Sequence, residues 1–301
     1  MIELITNFEC GNGKAIEQLG DAHFRLEVEA DKQTGYGSYF CFDLANDGAA
    51  VEVTIDVYED SKFGEPTTFG RVFPTTIWIK PVDFHRYRPL RGQLPECEDG
   101  HIRFRVPVEE KQRLRVAETY VAPFTEVGEC LEGFALERAD RCVRFSLGQS
   151  VEGRELVGLR AGTAGKPKVV CVAGQHPHEH GGVWASLGIA DFVSSRMPQA
   201  ERIRNEAEIY VIPIVNPDGN VAGHSAFNAE GLDMYLAFGD EPDAPEPEAH
   251  ESKLIWAWIR SEMPALWVNF HAFTGWQLNS EYPYHGWYEV EDRNLFSNIA
   301  Q

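Results

Sequence analysis

The first 120 residues alternate apolar and polar positions with a period of two. Three stretches show this alternation most clearly: Phe24, Leu26 and Val28; Val51, Val53, Ile55 and Val57; and Ile102, Phe104 and Val106. A period of two is typical of strands with one buried and one solvated face, and the joints between the stretches are rich in Gly, Pro and Asp. We therefore predict that residues 1–121 form an N-terminal domain, an antiparallel β-sandwich.

From about residue 122 the pattern changes to short apolar runs separated by stretches of helical period. The runs 168–173, 209–215 and 265–270 have the length of buried strands. Helical spacing falls between them, at Val183, Leu187, Ala190 and Val193 and again at Leu254, Ile255, Trp258 and Ile259. This alternation predicts an α/β domain with a mixed or largely parallel sheet over residues 122–301. The Pro- and acid-rich segment 239–252 is predicted to be an exposed loop.

The acidic composition limits the partners of the chain. Its 27 Lys and Arg residues against 47 Asp and Glu residues give a formal net charge of −20. Nucleic acids and anionic lipids need a basic face, so neither is expected as a partner. No apolar run approaches the ~18 residues of a membrane span, and residues 1–14 lack the pattern of an export signal. We expect a cytoplasmic protein with six reduced cysteines, none of them in a C-x-x-C pair, and leave its oligomeric state open.

A histidine-rich turn, CVAGQHPHEHGG (171–182), overlaps the end of the first apolar run. His176 and Glu179 are three residues apart, so on a tight turn or a first helical turn both side chains point the same way. Pro177 suits a first helical position. His271 follows the run 265–270. Because ligands bind beyond the carboxyl ends of the strands in open α/β sheets, the two groups are expected to meet.

His176, Glu179 and His271 are therefore predicted to hold one metal ion. Two neutral imidazoles and one carboxylate leave an open position on Zn²⁺, and such a centre is typical of a hydrolase. We expect His178 to line the cleft and His180 to support the ligands or lie at the surface. One alternative stays open: in an H-x-x-E-H motif, His176 and His180 would both bind the metal and Glu179 would be the base.

Six stretches of the chain resemble the zinc metallocarboxypeptidases, and most closely their cytosolic-carboxypeptidase-like branch. In chain order they are YVAPFTE (120–126), LGQSVEGREL (147–156), GQHPHEHGG (174–182), IPIVNPDG (212–219), GLDMYLAF (231–238) and VNFHAF (268–273). The resemblance implies a carboxypeptidase-like α/β domain with one zinc ion per chain, held by His176, Glu179 and His271. It also implies that Asp233 accepts a hydrogen bond from His176 and fixes the imidazole.

Two departures from the family pattern concern the substrate. Ala226 stands where the family carries an arginine that polarises the scissile carbonyl, and Tyr235 and Leu236 stand where it carries Asn-Arg for the terminal carboxylate. Neither Ala nor Leu can imitate a guanidinium. We therefore expect atypical recognition of a peptide or small amide with a blocked C-terminus, with Tyr235 among its contacts. Three arginines are candidates to compensate from elsewhere: Arg202, Arg204 and Arg293.

A third departure concerns the general base. The family's catalytic glutamate lies far downstream of the third ligand, on a late strand, whereas the sequence ends 30 residues after His271. Three glutamates remain, Glu281, Glu289 and Glu291, and Glu281 is the candidate we name, although none matches the family's context. We expect the catalytic domain to be incomplete at its C-terminus. The leading hypothesis is a zinc-dependent hydrolase of peptide or amide bonds, and the alternative is a catalytically silent metal-binding or regulatory module of the same fold.

Overall fold

The computed structural model describes residues 1–13, 15–28, 39–59, 76–91, 96–98, 101–234 and 245–272. Its strands are β1 (Ile2–Ile5), β2 (Ala15–Gly20), β3 (His23–Val28), β4 (Cys41–Asn46), β5 (Val51–Glu59), β6 (Trp78–Pro81), β7 (Arg88–Pro89), β8 (Glu96–Glu98), β9 (His101–Val108), β10 (Arg113–Ala117), β11 (Cys142–Gln149), β12 (Glu155–Gly162), β13 (Lys168–Ala173), β14 (Glu208–Ile212) and β15 (Leu266–Phe270). Its helices are α1 (Phe124–Glu137), α2 (His180–Ser194), α3 (Pro198–Glu206), α4 (Pro217–Ala222) and α5 (His250–Glu262). Within these ranges no helix is long and apolar enough to cross a membrane.

Two five-stranded sheets form the N-terminal half. One has the strand order β1-β4-β10-β6-β7 and the other β2-β3-β5-β9-β8. Apolar side chains from both sheets share one buried core, in which the rings of Phe40 and Phe104 stack with their centroids 5.8 Å apart. The alternation of apolar positions arises because each sheet presents every second side chain to this core. The predicted N-terminal β-sandwich is confirmed.

The prediction that the sandwich is antiparallel is wrong for one strand pair. Strands β3 and β5 run parallel, with Phe24 opposite Ile55. The strand between them in the chain, β4, belongs to the other sheet. The second sheet is therefore mixed, because strands that follow each other in the chain are shared between two sheets.

One five-stranded mixed sheet, in the order β11-β12-β14-β13-β15, forms the C-terminal half. The β11/β12 and β12/β14 pairs are antiparallel, whereas β14, β13 and β15 are parallel. Alternate residues of β13 enter two separate cores: Cys171 and Ala173 pack with α1 and α2, and Val170 and Val172 pack with α5. Burial on both faces explains the uninterrupted apolar run 169–173. The predicted mixed α/β sheet is confirmed.

The predicted exposed loop over 239–252 ends earlier than expected. Helix α5 begins at His250, and Glu251 and Ser252 are completely buried. The Glu251 carboxylate accepts hydrogen bonds from Asn228 Nδ2 at 2.7 Å and from the backbone N–H of Val151 at 3.2 Å. An acidic residue that looked solvated is thus held inside by donors from distant parts of the chain. Residues 239–244 lie outside the described residues.

A loop of the sandwich, residues 6–13, contacts the α/β half directly. The backbone N–H of Cys10 donates to the Val221 carbonyl at 3.0 Å, and the Thr125 N–H donates to Glu9 Oε1 at 2.8 Å. Gly223 ends α4 in the left-handed conformation, with the Gly11 carbonyl only 2.4 Å from where a Cβ would lie. The sandwich therefore packs against α4. The division into domains at residues 121 and 122 stays a prediction.

Candidate metal centre

A sharp turn between β13 and α2 carries the first two predicted ligands. After β13, Gly174 adopts φ +68°, a conformation that glycine reaches without strain. The backbone N–H of Glu179 donates to the His176 carbonyl at 3.1 Å, and this closure puts His176 Nδ1 3.0 Å from Glu179 Oε1. Helix α2 begins only at His180, so the prediction that Pro177 is a first helical residue is wrong. The pair is held by a tight turn that precedes the helix.

His271 reaches the same carboxylate from the neighbouring strand. Because β15 runs parallel to β13, with Phe270 opposite Ala173, both strands deliver the next residues to one edge of the sheet. His271 Nδ1 lies 2.7 Å from Glu179 Oε2. One potential ligand atom from each of His176, Glu179 and His271 lies within 4.8 Å of the other two. The structure thus brings the three predicted ligands together, and His180 does not belong to this group.

A glycine in α2 brings the helix close to the third predicted ligand, His271. A Cβ on Gly182 would lie 2.7 Å from the Phe270 carbonyl oxygen and 3.1 Å from its carbonyl carbon. Real Cβ atoms essentially never approach another atom within 3.0 Å. The first turn of α2 can therefore pack on the end of β15 only because residue 182 has no side chain.

Asp233 lies beside the first predicted ligand, His176. Its Oδ1 is 3.4 Å from His176 Nε2, and its side chain is 5% exposed. An isolated β-bridge pairs Asp233 with Phe227 and closes the intervening loop. Asn228 Oδ1 accepts two backbone N–H groups inside this loop, while buried Glu251 holds the Asn228 amide from the other side. The carboxylate next to His176 is thus held by a loop with its own buried polar support.

Burial and charge act in opposite directions on the titratable groups of the cluster. Burial favours the neutral imidazole of His176, but hydrogen bonds to the Asp233 and Glu179 carboxylates outweigh it and raise its pKa to about 10. Burial also opposes the ionised form of Glu179, yet hydrogen bonds from His176 and His271 lower its pKa to about 2. Glu179 is therefore a buried anion between two imidazoles, and a divalent cation suits this donor set.

The other two histidines of the turn are buried and neutral. Burial lowers the pKa of His178 to about 4, and its Nδ1 donates a hydrogen bond to the Ser225 carbonyl. Burial is the main cause that lowers the pKa of His180 to about 3. His180 Nδ1 accepts the Ala122 N–H at 3.2 Å, and its ring centroid lies 5.4 Å from that of Tyr39 in the sandwich. His180 therefore anchors the start of α2 and does not lie at the surface.

Two of the arginines suggested as replacements lie away from the cluster. Arg204 donates to the Val193 and Ser195 carbonyls at the C-terminal end of α2. That end is about 20 Å from His180, since each of the 15 helical residues adds ~1.5 Å. Arg202 is exposed on the same helix, α3. Both suggestions are wrong because α3 packs at the far end of α2. Other predicted positions lie outside the described residues: Tyr235, Leu236, Glu281, Glu289, Glu291 and Arg293.

Two polar residues beside His271 were missed from the sequence. Asn269 Nδ2 donates to Gln175 Oε1 at 2.6 Å and lies 2.9 Å from His271 Nε2. Both residues belong to motifs that were singled out, and Asn269 is a polar residue inside the apolar run 265–270. A polar residue inside an apolar strand run, two residues before a candidate ligand, is the signal that could have found it.

The chain is similar in sequence to known carboxypeptidases. The family model described as zinc carboxypeptidase, peptidase M14, matches residues 127–301. Cytosolic carboxypeptidase 6 of Mus musculus is 25% identical over 258 residues, which are 81% of this chain and 46% of that protein. The corresponding Homo sapiens protein is 24% identical over 263 residues, 82% of this chain and 52% of its own length. The chain thus spans about half the length of these curated relatives.

Solved structures with the same fold are also metallocarboxypeptidases. A metallo-carboxypeptidase from Burkholderia cenocepacia has a TM-score of 0.76 at 18% identity, covering 90% of this chain and 70% of its own. A metallo-carboxypeptidase from Pseudomonas aeruginosa, solved in complex with (2-guanidinoethylmercapto)succinic acid, has a TM-score of 0.73 at 20% identity, with 89% and 69% covered. At these identities the likeness establishes the fold.

Proposed function

This chain belongs to the zinc carboxypeptidase family, and on that premise we propose that it is a zinc-dependent hydrolase of peptide or amide bonds. One zinc ion per chain is held by His176, Glu179 and His271. The observation that carries the proposal is the convergence of their ligand atoms within 4.8 Å at the carboxyl edge of the sheet. Membership of the family agrees with that donor set.

The three side chains fit a tetrahedral zinc ion. Two ligand atoms that are each ~2.0–2.1 Å from a tetrahedral zinc lie about 3.3 Å apart. His176 Nδ1 lies 3.0 Å from Glu179 Oε1, and His271 Nδ1 lies 2.7 Å from Glu179 Oε2. With a zinc ion among them these separations would open by about 0.3 and 0.6 Å. Bound zinc would act as a Lewis acid that polarises a carbonyl group and activates water for its attack.

Residues around the ligands prepare the site for this chemistry. The Asp233 carboxylate favours the proton on His176 Nε2, which leaves the lone pair of Nδ1 directed toward Glu179 and the metal position. The backbone N–H of Ala272 donates to Glu179 Oε2 at 3.1 Å and orients the carboxylate. The identity of the general base is not assigned, and Glu281 remains the candidate.

Atypical substrate recognition is part of the proposal. Ala226 is buried and carries no charge, so it cannot polarise a carbonyl as the family's arginine does. With a formal net charge of −20, the chain also disfavours acidic peptide tails. We propose a peptide whose C-terminus is amidated or otherwise blocked, or a small amide, as the substrate. A cytoplasmic location stays a prediction, and the curated relatives are named cytosolic carboxypeptidases.

Metal analysis of purified protein tests the metal assignment. We expect about one zinc per chain in the wild type and in His85→Ala, a matched control that removes an exposed histidine of the sandwich. His271→Ala should lose the metal and keep its fold, because the site then has two ligands. Well-folded wild-type protein that takes up no zinc would refute the assignment.

Paired peptides test the reaction. Each peptide is supplied once with a free and once with an amidated C-terminus, and cleavage is followed by mass spectrometry with zinc-loaded wild type and His271→Ala. We expect zinc-dependent cleavage that favours the amidated member. A preference for the free carboxylate would contradict the proposed substrate class. Zinc binding without turnover on any peptide or amide would favour the silent module instead.

A further inference from the structure

The side chain of Asn228 uses its complete hydrogen-bonding capacity inside the loop that leads to Asp233. Its Oδ1 accepts the backbone N–H groups of Glu230 at 2.9 Å and Leu232 at 3.1 Å. Its Nδ2 lies 2.7 Å from Glu251 Oε2 and 3.1 Å from Glu230 Oε2, so each of the two amide hydrogens has an acceptor. Asn228 is completely buried. This amide therefore fixes the shape of the loop from within.

The first turn of α5 holds the same loop from outside. The backbone N–H of His250 donates to Glu230 Oε2 at 2.8 Å. Ser252 Oγ donates to the Met234 carbonyl at 3.5 Å. Glu251, between these two residues in the helix, accepts the loop amide described above. The helix thus contacts the loop near its middle and again at its end.

The second oxygen of Glu251 connects the loop to the sheet. Glu251 Oε1 accepts the backbone N–H of Val151 at 3.2 Å, in the turn between β11 and β12. Glu251 is completely buried, so bulk water cannot replace it as the acceptor for either N–H group. A buried donor that loses its acceptor costs more free energy than one hydrogen bond contributes. The Glu251 carboxylate therefore fixes the position of the loop relative to the sheet.

The loop places Asp233 beside the first predicted ligand. A β-bridge between Asp233 and Phe227 closes the loop, and Asn228 follows Phe227 directly. Asp233 Oδ1 lies 3.4 Å from His176 Nε2, which is close to the longest separation at which a hydrogen bond forms. A displacement of the loop by a few tenths of an ångström would therefore change this contact.

We infer that Glu251 is a positioning residue for the metal centre, which acts through Asn228 and holds Asp233 beside His176. The inference rests on the proposed zinc site. In the described part of the chain, the hydrogen bonds of Glu251 go to Asn228 and Val151, so its effect on the metal passes through the loop. This role explains why an acidic residue is buried at the end of a segment whose composition is typical of solvated loops.

A double-mutant cycle on zinc affinity tests the inference, measured on the full chain by competition with a chromophoric chelator. Glu251→Gln puts an N–H group opposite one of the two donors, and we expect zinc affinity to fall about tenfold. In the Asp233→Ala background the same substitution should change zinc affinity by less than about twofold, because the contact through which it acts is already absent. A purely structural role would lower zinc affinity by the same factor in both backgrounds, and that result would overturn the inference. So would an unchanged zinc affinity in Glu251→Gln.

Glu230→Gln is the matched control. Glu230 contacts the same Asn228 nitrogen as Glu251 but is exposed, so water can replace the acceptor that is lost. Its zinc affinity should stay within about twofold of the wild-type value. Equal losses in Glu230→Gln and Glu251→Gln would count against a specific role of Glu251.

Hydrogen exchange in the wild type tests the loop without any substitution. The amides of Glu230 and Leu232 should exchange slowly, because the buried Asn228 Oδ1 accepts both. Exchange as fast as in an unstructured peptide would overturn the inference. Wild-type protein that takes up no zinc would refute the proposed function and this inference together, whereas each contrary outcome above refutes the inference alone.

Discussion

Replacing two glycines of α2 separates the effect of the helix from the effect of the metal centre. Gly182 and Gly188 lie six residues apart in one helix, and both would become alanine. A Cβ on Gly188 meets nothing within 4 Å, whereas a Cβ on Gly182 lies 2.7 Å from the Phe270 carbonyl oxygen. Alanine favours a helix interior over glycine by about 1 kcal/mol. Gly188→Ala should therefore raise the free energy of unfolding by up to about that amount.

Gly182→Ala should instead destabilise the protein and loosen the site. Relief of the overlap moves the Phe270 backbone by about 0.5 Å, more than the ~0.2 Å tolerance of a metal–ligand distance. Because His271 follows Phe270 directly, its Nδ1 moves away from Glu179. Overpacking costs about 1–3 kcal/mol, so the two variants should differ by about that amount in unfolding free energy.

Two measurements decide the comparison. Urea denaturation in the presence of a chelator gives the unfolding free energies of the metal-free proteins, and chelator competition gives their zinc affinities. Zinc affinity should fall at least about tenfold in Gly182→Ala, which is ~1.4 kcal/mol, and stay at the wild-type value in Gly188→Ala. If Gly182→Ala matches Gly188→Ala in both measurements, the contact between α2 and β15 does not set the position of His271.

Three further predictions concern protons and the sandwich. The neighbouring carboxylates outweigh burial and raise the pKa of His176 to about 10, so zinc must displace a proton from this imidazole when it binds. The affinity for zinc, measured by chelator competition, should therefore rise about tenfold per pH unit from pH ~6 to ~9. A zinc affinity that does not depend on pH would contradict this prediction. Although burial opposes it, hydrogen bonds from Arg103 and His23 lower the pKa of Asp56, so its stabilising effect is present above a pH of ~4 and lost below it. Asp56→Asn should accordingly cost about 2 kcal/mol at pH 7 and little at pH 3 in denaturant titrations, and an equal loss at both would contradict the assignment. A shortened chain that begins at residue 122 lacks Tyr39 and the loop 6–13, and we expect it to be insoluble or less selective among peptides. Unchanged solubility and peptide preference would argue against a role of the sandwich at the site.

The elements of the α/β half could be predicted because their signals are local. The run 168–173 coincides with β13, and its residues 169–173 are all apolar, which is typical of a strand buried on both faces. The spacing of Val183, Leu187, Ala190 and Val193 follows α2, whose buried face contains all four. The parallel pairing of β3 and β5 could not be predicted in this way. It depends on which sheet receives β4, and a period of two does not show to which sheet a strand belongs.

The candidate site likewise has features that local sequence signals predict and features that they do not. His176 and Glu179 could be paired from their spacing, because three residues of a tight turn bring both side chains to one side. The buried anchoring of His180 by Ala122 could not be predicted, since its partner lies 58 residues earlier in the chain. Glu251 shows the same limit: its acid-rich neighbourhood is typical of solvated loops, and its buried partners are distant in sequence.

The convergence of the third predicted ligand, His271, depends on strand register. Parallel strands send their following residues to the same edge, so the rule for open sheets is enough to expect His271 near His176. The rule does not choose the register, and a slip of one residue would turn the His271 side chain to the other face of the sheet. Two contacts are specific to the observed register: the close approach of Gly182 to Phe270, and the hydrogen bond from Asn269 to Gln175. Residues outside the ligand set therefore decide whether three separated side chains form one centre.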